Sequence, residues 1–398
     1  MSDVLVDMTA LNTGSRERGI GRYVRSLCSA LANRAAWLPK YPGLPGAQLS
    51  VSGLVRHLGK TEGAEDATMG FGGDPSVKTS VWHYRRYKLE RRLFLGGLLN
   101  RLECRLAHLP DPPGTPRGPC PPRIVTCHDL IPLVLADDYL SPVPGARLLQ
   151  RESDKARYKG AARVIAISEA TRRDLIEQLG VPPERIDVVH HGVDHQRFGP
   201  EAADGEREQL ERALGISGPF LFYLGAGDTR KNLPLLIRAF ARSGVAKDVS
   251  LVFAGPLTQR DRVRFNREAE QGGVGGRFQI LGYTEEKHVA PLYRNCLAHV
   301  FPSSYEGFGL TVLEAMACGA PTLTTALSSL GEVAGDAALT LAALDVEHFA
   351  DQLRRLVSSA ELRGELRTRG LLHASKFTWE RCAALTLGCY QRTLDELA

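Results

Sequence analysis

The stretch FPSSYEGFGLTVLEAMACGAP, residues 301–321, decides the fold class. It starts with a short apolar run that ends at Pro302, continues through a glycine-bearing loop, and takes a helical apolar pattern from about Gly309. Gly319 and Pro321 are residue types that end such a helix. Strand, loop and helix in this order form the repeating unit of a parallel sheet covered by helices. One helix face is predicted to be buried, formed by Leu310, Leu313 and Ala317.

The same alternation surrounds this stretch throughout the C-terminal half. Between the runs, apolar residues from Leu233 to Phe240 fall at positions i, i+3, i+4 and i+7, which predicts a helix with one buried stripe. We therefore predict a doubly wound α/β domain with a parallel sheet. Its expected strands are Phe220–Leu224, Val249–Ala254, Phe278–Leu281, His299–Pro302 and Pro321–Thr325.

The N-terminal half shows a similar pattern. A first strand is predicted at Val4–Asp7, followed by a helix whose buried stripe runs from Tyr23 to Leu31. A later helix, after Ser168, should end at Gly180, because glycine accepts the left-handed conformation of a helix terminus. These signals predict a second Rossmann-like domain, with further strands at Leu49–Val55, Ile124–Cys127 and Val164–Ile167.

The length of 398 residues also favours two domains, since single cores stop growing at roughly 250–300 residues. The segment from Gln196 to Arg212 is polar and lacks strand character, so the linker is placed there. We predict an N-terminal domain over 1–196 and a C-terminal domain over 197–378. The last helix, within 379–398, lies far beyond the final strand and is expected to cross back to the first domain.

Composition places the chain among ordinary globular proteins. The net charge of +5 is small and not gathered into a tail, so nucleic acid is not favoured as a partner. No run approaches the eighteen or so apolar residues of a membrane span, and the N-terminus MSDVLVDMTA does not resemble a secretory signal. The eight cysteines have no zinc-like spacing. We expect a cytoplasmic protein with reduced thiols.

The glycine loop before Leu310 has a chemical use. Free N–H groups and the positive end of a helix dipole suit a phosphate or electron-rich sugar oxygens. Glu306 in the loop and Glu314 two turns later add carboxylates, which accept strong hydrogen bonds from neighbouring hydroxyls. A plainer interpretation also exists: Glu306 complements the dipole and Glu314 is a solvated residue.

The motif EGFGLTVLEAMACG closely resembles the E-x7-E signature of retaining glycosyltransferases of family 4, which have the GT-B fold. The resemblance extends over nearly the whole chain. It includes RGIGRYVRSL, VTCHDLIPL, RVIAISEATRRDLIEQLGVPPERIDVVHHGVD, FYLGAGDTRKN and ILGYTEEKHVAPLYRNCLAHVFPSSYEGFG. It implies two Rossmann-like, doubly wound parallel-sheet domains facing across a cleft, and transfer of a sugar from a nucleotide-diphosphate donor with retention of configuration.

On the donor side, the resemblance implies that Glu306 touches the transferred sugar and Glu314 the ribose. Lys231 in DTRKN would neutralise the diphosphate leaving group. Many relatives carry an arginine directly after the preceding strand, but this chain has Ala226 and Gly227 there, so Arg230 is the substitute candidate. A pair of charges at the start of a helix is the alternative for these two cations. The remaining donor-binding candidates are Gly21, Gly307, Phe308, Gly309 and Leu310.

On the acceptor side, the resemblance implies a loop near the diphosphate and the acceptor, with Gly19 and Arg22 on it. His128 follows a strand at the carboxyl edge of the sheet, where ligands of open α/β sheets bind, and resembles a family histidine beside the transferred sugar. A structural histidine is the alternative. Asp129 is the neighbouring acceptor-side candidate, or a turn carboxylate. Catalytic roles are predicted for His128, Lys231 and Glu306.

No metal or other cofactor is expected. His190 and His191 stand where relatives often show asparagine, and no third ligand is near them in sequence. The pair Asp137–Asp138 is explained as well by the start of a helix. Glycosyltransferases of this kind need no bound metal, and the nucleotide-diphosphate sugar is a substrate.

A basic, aromatic segment spans residues 82–106, WHYRRYKLERRLFLGGLLNRLECRL. Such a helix can lie on an anionic membrane, which would suit an acceptor carried on a lipid and a peripheral position at the inner membrane face. Solvated charges flanking a core helix explain the pattern equally well.

The sequence predicts transfer of a hexose to a saccharide or lipid-linked saccharide in cell-surface polysaccharide or glycoconjugate synthesis. The stretches HDLIPL and GEVAGDAAL look most like the bacterial mannosyltransferase branch, so mannose from GDP-mannose is favoured, with UDP- and dTDP-sugars open. A GT-B phosphorylase, a nucleotide-sugar epimerase and a non-catalytic nucleotide-binding homologue remain alternatives. A dehydrogenase is disfavoured because the glycines near Gly19 and Gly225 do not follow G-x-G-x-x-G.

Overall fold

The computed structural model describes residues 3–12, 19–35, 51–54, 56–57, 60–61, 89, 91–112, 114–116, 118–140 and 144–398. The described chain forms two compact units. The first runs to Gly192 and includes Trp379–Ala398, and the second comprises Val193–Thr378. The division lies four residues before the predicted one. The polar segment predicted to be a linker belongs to the second unit instead, because Glu206–Leu214 is a helix that buries Leu210.

The first unit is built on a six-stranded parallel sheet. Its strands Val4–Asp7 and Leu106–Leu109 are buried throughout, as expected for a sheet covered on both sides by helices. The chain order switches direction at the strand Val4–Asp7, which is typical of a doubly wound fold. In spatial order the strands are Val51–Leu54, Val4–Asp7, Leu106–Leu109, Arg123–Cys127, Arg163–Ala166 and Ile186–Val188, and a separate antiparallel pair is formed by Arg56–His57 and Lys60–Thr61.

Helices cover both faces of this sheet. The predicted helix stop is confirmed: Glu169–Leu179 is capped by the Ser168 hydroxyl, and Gly180 adopts a φ of 62°. The C-terminal helix Trp379–Glu396 packs on the first helix, and both contribute to one core cluster. The α-helices described in this unit are Gly19–Ala35, Gly96–Arg101, Ile131–Val134, Ala136–Tyr139, Ala146–Lys159, Glu169–Leu179 and Trp379–Glu396.

The second unit repeats the plan with another six-stranded parallel sheet. Here the first strand in the chain, Phe220–Leu224, lies at the centre of the sheet, paired with Ser250–Ala254 on one side and Ala298–Phe301 on the other. The sheet is completed by Phe278–Gly282 at one edge, and by Thr322–Thr325 and Leu339–Leu341 at the other. The predicted fold class of two Rossmann-like domains is confirmed.

In the helix Leu310–Ala317, Leu313 and Ala317 are buried as predicted, whereas Leu310 is only partly buried. The helix Leu233–Ser243 buries the stripe read from the sequence, with Leu236 and Phe240 fully buried. The described α-helices are Glu206–Leu214, Leu233–Ser243, Gln259–Gln271, Glu286–Asn295, Leu310–Ala317, Leu330–Ala334, Val346–Ser358 and Ala360–Ala374.

The basic segment 82–106 is described in part, since residues 82–88 and 90 lie outside the described residues. A single π-helical turn, Arg91–Leu95, leads into the short helix Gly96–Arg101, and Leu106 already belongs to the next strand. Leu93 and Phe94 are 62% and 60% exposed, whereas Leu95 is buried. Among the described residues, no helix is both long enough and apolar enough to cross a membrane.

Candidate functional site

The donor-side residues predicted in the second unit meet at the carboxyl ends of two adjacent strands. The strand Phe220–Leu224 leads into the loop that carries Arg230 and Lys231, and Ala298–Phe301 leads into the loop that carries Glu306. Because the two parallel strands pair directly, both loops leave the same edge of the sheet. This is the edge at which open α/β sheets bind ligands.

The three charged side chains form one cluster. Lys231 Nζ donates to Glu306 Oε1 over 3.0 Å, and Arg230 Nη1 bonds the same oxygen. The Ser303 hydroxyl lies 2.8 Å from Oε1 as well. Each charged side chain is only 12% exposed. All described bonds of the carboxylate end on Oε1, so Oε2 remains available to a ligand hydroxyl.

The charge state of the cluster follows from these contacts. Burial raises the pKa of the Glu306 carboxyl, but the nearby Lys231 and Arg230 and the Ser303 hydroxyl lower it by more. The net pKa lies below its ordinary value, so the carboxylate is charged at neutral pH. Two cations face the Glu306 carboxylate, and Arg230 also lies 3.6 Å from Asp228 Oδ2, so the two cations are balanced by two carboxylates.

Arg230 also ties the two loops together. Its Nη1 donates to the carbonyl oxygen of Tyr305 over 2.9 Å, and its own carbonyl oxygen accepts from the backbone N–H of Ser304 over 2.7 Å. Asn232, in the left-handed conformation at φ 52°, donates through Nδ2 to the carbonyl oxygens of Arg230 and Pro302. Arg230 therefore holds Glu306 in place both through its carboxylate and through the backbone of the two preceding residues.

The glycine loop is held in shape by the next helix. Gly309 has a φ of 109°, and a Cβ there would lie 2.8 Å from Leu330. The Ser329 hydroxyl lies 2.8 Å from the carbonyl oxygens of both Glu306 and Phe308. The loop that contains Gly307 and Phe308 is thus held by hydrogen bonds from Ser329 to the carbonyl oxygens of Glu306 and Phe308. The helix begins at Leu310, as predicted, and its first N–H groups lie at the sheet edge.

Glu314 lies on this helix and is 4% exposed. A carboxylate at that depth is costly unless hydrogen-bonded. The interpretation of Glu314 as a solvated surface residue is therefore wrong. Its burial next to the glycine loop is consistent with the ribose contact that the resemblance implies.

In the first unit, His128 follows the strand Arg123–Cys127 at the carboxyl edge, as predicted. Its Nε2 lies 2.7 Å from the carbonyl oxygen of Pro110, which requires that nitrogen to carry the proton. Burial lowers the pKa of His128 to about 4, although the bond to Pro110 acts in the opposite direction. The imidazole is therefore neutral at pH 7, with Nδ1 as an acceptor.

An aromatic group surrounds His128 that the sequence did not reveal. Tyr23 meets the imidazole edge-on at 5.1 Å between ring centroids and stacks on His191 at 4.7 Å. Trp379, at the start of the C-terminal helix, packs against both Tyr23 and His191. Tyr23 and Trp379 were visible in the sequence only as apolar residues of two helices distant in the chain. No motif linked them to His128.

The other predicted acceptor-side residues lie on the same unit. Gly19 starts the first helix and is exposed, with Gly21 buried and Arg22 partly buried in its first turn. A side chain at Gly19 would meet nothing within 4 Å, so close packing does not require glycine there. Asp129 accepts from the backbone N–H of Ile131 over 3.1 Å, which confirms the turn role considered for it.

His191 is 4% exposed within the aromatic group, and Asp137 and Asp138 lie in the first turn of a short helix. Within the part of the chain that the structure describes, no three His, Cys, Asp or Glu side chains are arranged as a metal site.

Two protein families match the chain, one in each half. Residues 18–197 match the family "Glycosyltransferase Family 4", and residues 206–372 match "Glycosyl transferases group 1". The first match contains His128, and the second contains Lys231, Glu306 and Glu314.

Curated relatives include bacterial sugar transferases. The serotype-specific mannosyltransferase WbdA of Escherichia coli is 29% identical over 68% of this chain and 34% of its own length. A D-inositol 3-phosphate glycosyltransferase of Frankia alni is 30% identical over 65% of this chain and 64% of its own length. The chain thus spans about a third of WbdA and less than two thirds of the second relative.

Solved structures share the fold over the whole chain. Sucrose-phosphate synthase from Thermosynechococcus elongatus superposes with a TM-score of 0.72 at 20% identity, covering 100% of both chains. WaaG, a glycosyltransferase of lipopolysaccharide biosynthesis, gives a TM-score of 0.69 at 17% identity over 99% of both chains. At these identities the likeness establishes the GT-B fold alone.

Proposed function

Because the chain is a glycosyltransferase and belongs to glycosyltransferase family 4, we propose that it transfers a hexose from a nucleotide-diphosphate sugar with retention of configuration. The single observation that carries this proposal is the cluster of Lys231, Arg230 and Glu306 at the carboxyl edge of the second sheet. It places two cations next to a carboxylate whose described bonds all end on one oxygen.

The donor chemistry follows from the placement of these groups. When the glycosidic bond breaks, negative charge builds on the leaving diphosphate, and a cation placed there stabilises the transition state. We assign this role to Lys231, assisted by the backbone N–H groups of Gly307 to Gly309 and the start of the helix at Leu310. Oε2 of Glu306 accepts from a hydroxyl of the transferred sugar, and Glu314 accepts from the ribose.

Arg230 is assigned a positioning role. Its guanidinium is bonded to Tyr305 and Glu306 and lies 3.6 Å from Asp228 Oδ2. These contacts favour Arg230 as the group that holds the Glu306 carboxylate in place, rather than as a direct replacement for the arginine that many relatives carry after the preceding strand.

For retention, we propose a displacement on the front face of the sugar. A carboxylate nucleophile, as in retaining glycosidases, is not supported by Glu306, because its Oε1 is engaged by two cations that reduce its nucleophilicity. The leaving diphosphate takes the proton of the acceptor hydroxyl while the bond from that oxygen to the anomeric carbon forms. His128, which is neutral, contributes a hydrogen-bond acceptor at Nδ1.

The substrates are proposed from the relatives. The similarity to a mannosyltransferase favours GDP-mannose as donor and a saccharide, free or lipid-linked, as acceptor in cell-surface polysaccharide synthesis. The relative named for D-inositol 3-phosphate makes a phosphorylated polyol the second candidate acceptor. We propose that no metal is needed, that the protein works in the cytoplasm, and that exposed Leu93 and Phe94 contact the membrane surface.

The test is a transfer assay with GDP-mannose, UDP-glucose and dTDP-glucose, each with α-linked mannobiose and with inositol 3-phosphate, in the presence of EDTA. The proposal predicts one preferred donor, an α-linked product by NMR, and activity unaffected by EDTA. A phosphorylase would instead release sugar phosphate, and an epimerase would change the donor without acceptor. Nucleotide binding without turnover on any pair would favour the non-catalytic homologue.

A further inference from the structure

A pocket of about 200 Å³ lies beside His128 and is formed entirely by residues of the first unit. It is smaller than the roughly 300–1,000 Å³ of drug-sized ligand sites, so it suits a single small ring. Its lining includes four apolar residues, Ile20, Pro112, Leu130 and Pro132.

The lining also carries polar groups from one helix, Ala146–Lys159. Gln150, Asp154 and Arg157 are spaced by four and three residues, which places them on one helix face. Asp154 is 3% exposed, and both of its oxygens are bonded: Gln150 Nε2 donates over 2.8 Å and Arg157 Nη1 over 2.7 Å. Among the described hydrogen bonds, none uses Oε1 of Gln150.

The charges of the lining residues disfavour an anionic ligand. Asp129 and Asp154 supply two carboxylates, whereas Arg157 is the single cation among the described lining residues and is already paired with Asp154. His128 adds no charge at neutral pH. A phosphate group would have to displace Asp154 from Arg157 and would then leave a buried carboxylate without its partner, which is costly. Hydroxyl groups face no such cost, since they both donate and accept.

We infer that this pocket is the acceptor subsite and that it binds one uncharged, hydroxyl-rich sugar ring, with Gln150 as a specificity-determining residue. The inference rests on the proposed function and deepens it, because it decides between a neutral and a phosphorylated acceptor. The apolar lining residues pack against the C–H face of the ring. Gln150 Oε1 and His128 Nδ1 accept hydrogen bonds from ring hydroxyls, while Asp154 fixes the orientation of Gln150.

The test measures binding without turnover. Saturation-transfer difference NMR is recorded with methyl α-mannopyranoside and with mannose 6-phosphate on the full chain. The expected result is a stronger signal from the neutral sugar. Gln150→Ala should raise the Kd for methyl α-mannopyranoside about fivefold, because one hydrogen bond to the sugar is lost. Glu152→Gln is the matched control, since Glu152 is on the same helix, 55% exposed and paired with Lys155 outside the pocket lining.

A second variant tests the charge argument. Asp154→Asn removes one of the two carboxylates and releases Arg157, so the preference should shift toward mannose 6-phosphate, with thermal denaturation checking that the variant is folded. A stronger signal from mannose 6-phosphate in the wild type, or a Kd unchanged by Gln150→Ala, would overturn the inference. Failure of the proposed function is measured separately, by calorimetric titration of nucleoside diphosphates, which the proposed function assigns to the second unit and not to this pocket.

Discussion

Replacing Glu306 by glutamine isolates the charge at the centre of the donor site. The side chain keeps its size and an acceptor oxygen, but Lys231 and Arg230, each 12% exposed, lose their shared counter-charge. Removing one partner of a buried ion pair typically costs about 3–5 kcal/mol. We expect Glu306→Gln to lower the free energy of unfolding of the second unit by about 3 kcal/mol at pH 7.

The matched control is Glu268→Gln in the same unit. Glu268 accepts from Arg238 over 2.7 Å, but the arginine side chain is 55% exposed, so the pair is screened by water. Exposed pairs contribute about 0–1 kcal/mol, and the control should stay within about 0.5 kcal/mol of the wild type. Both carboxylates form short ion pairs, but only those of Glu306 are buried, so the comparison isolates the effect of burial on stability.

Hydrogen exchange followed by mass spectrometry is the appropriate assay, because it reports on peptides of each unit separately. Peptides from the strands Phe220–Leu224 and Ala298–Phe301 give the opening free energy at the site. The pKa of Glu306 is lower in the folded protein than its ordinary 4.5, so its contribution is complete above that pH and is lost as the pH falls through the folded pKa. The wild type and the variant should therefore converge in acid. Equal effects of the two substitutions at pH 7 would refute the reasoning.

Three further outcomes are expected. Gly255 has a φ of 132°, and a Cβ there would overlap the carbonyl oxygen of Gly225, so Gly255→Ala should lower the free energy of unfolding by about 3 kcal/mol or more. Gly244→Ala is the control, because Gly244 also has a positive φ but a Cβ there would meet nothing within 4 Å; it should cost about 1 kcal/mol. Hydrogen exchange measures both, and similar costs would contradict the overlap at Gly255. Burial lowers the pKa of His108 from 6.5 to about 3, so the unfolded chain binds the proton first as the pH falls. Urea titrations should show that His108 contributes a loss of stability of about 1.4 kcal/mol per pH unit as the pH falls from 6.5 toward 3. His108→Gln should reduce the total slope by this amount while His128 still contributes, and an unchanged slope would contradict the assignment. Arg230→Lys should lower kcat about tenfold while the Kd for GDP, measured by calorimetry, stays within twofold; weaker GDP binding with unchanged kcat would indicate a diphosphate contact instead.

Much of the fold could be predicted because periodicity and helix termini are local. The strand Phe220–Leu224 and the C-terminal ends of its neighbours were found from apolar runs, and Gly180 marked a helix end through its backbone conformation. The strand Leu339–Leu341 was missed because its residues are partly exposed and its pattern is three residues long. The strand Leu106–Leu109 was hidden by the basic segment before it.

The donor site was more predictable than the acceptor side. Lys231 and Glu306 belong to short motifs at two strand ends, and adjacent parallel strands bring such motifs together. The group around His128 depends on Tyr23, His191 and Trp379, which are far apart in the chain and meet only through packing. The helix face of Gln150, Asp154 and Arg157 carries polar residues that, in sequence, are indistinguishable from a solvated surface.

A buried chain of hydrogen bonds explains why the C-terminal helix belongs to the first unit. Tyr390 lies 2.6 Å from His108 Nδ1, and His108 Nε2 lies 2.8 Å from the Thr126 hydroxyl, which in turn is 3.2 Å from Tyr23. At the edge of the sheet, Arg163 is paired with Asp187 and with Glu396 of the helix. The contacts of His108 with Tyr390 and of Arg163 with Glu396 join residues more than 200 positions apart, and no local pattern could have shown them.

The most direct measurement of the central claim is calorimetric titration of GDP, UDP, dTDP and ADP into the wild type, Lys231→Ala and Lys247→Ala without added metal. Lys247 is exposed in the same unit and serves as the control. Loss of a charge-assisted hydrogen bond of about 1.5–3 kcal/mol predicts that one preferred nucleotide binds Lys231→Ala at least tenfold more weakly, with Lys247→Ala unchanged. Binding of that nucleotide with equal affinity to the wild type and to Lys231→Ala would contradict a diphosphate site at Lys231.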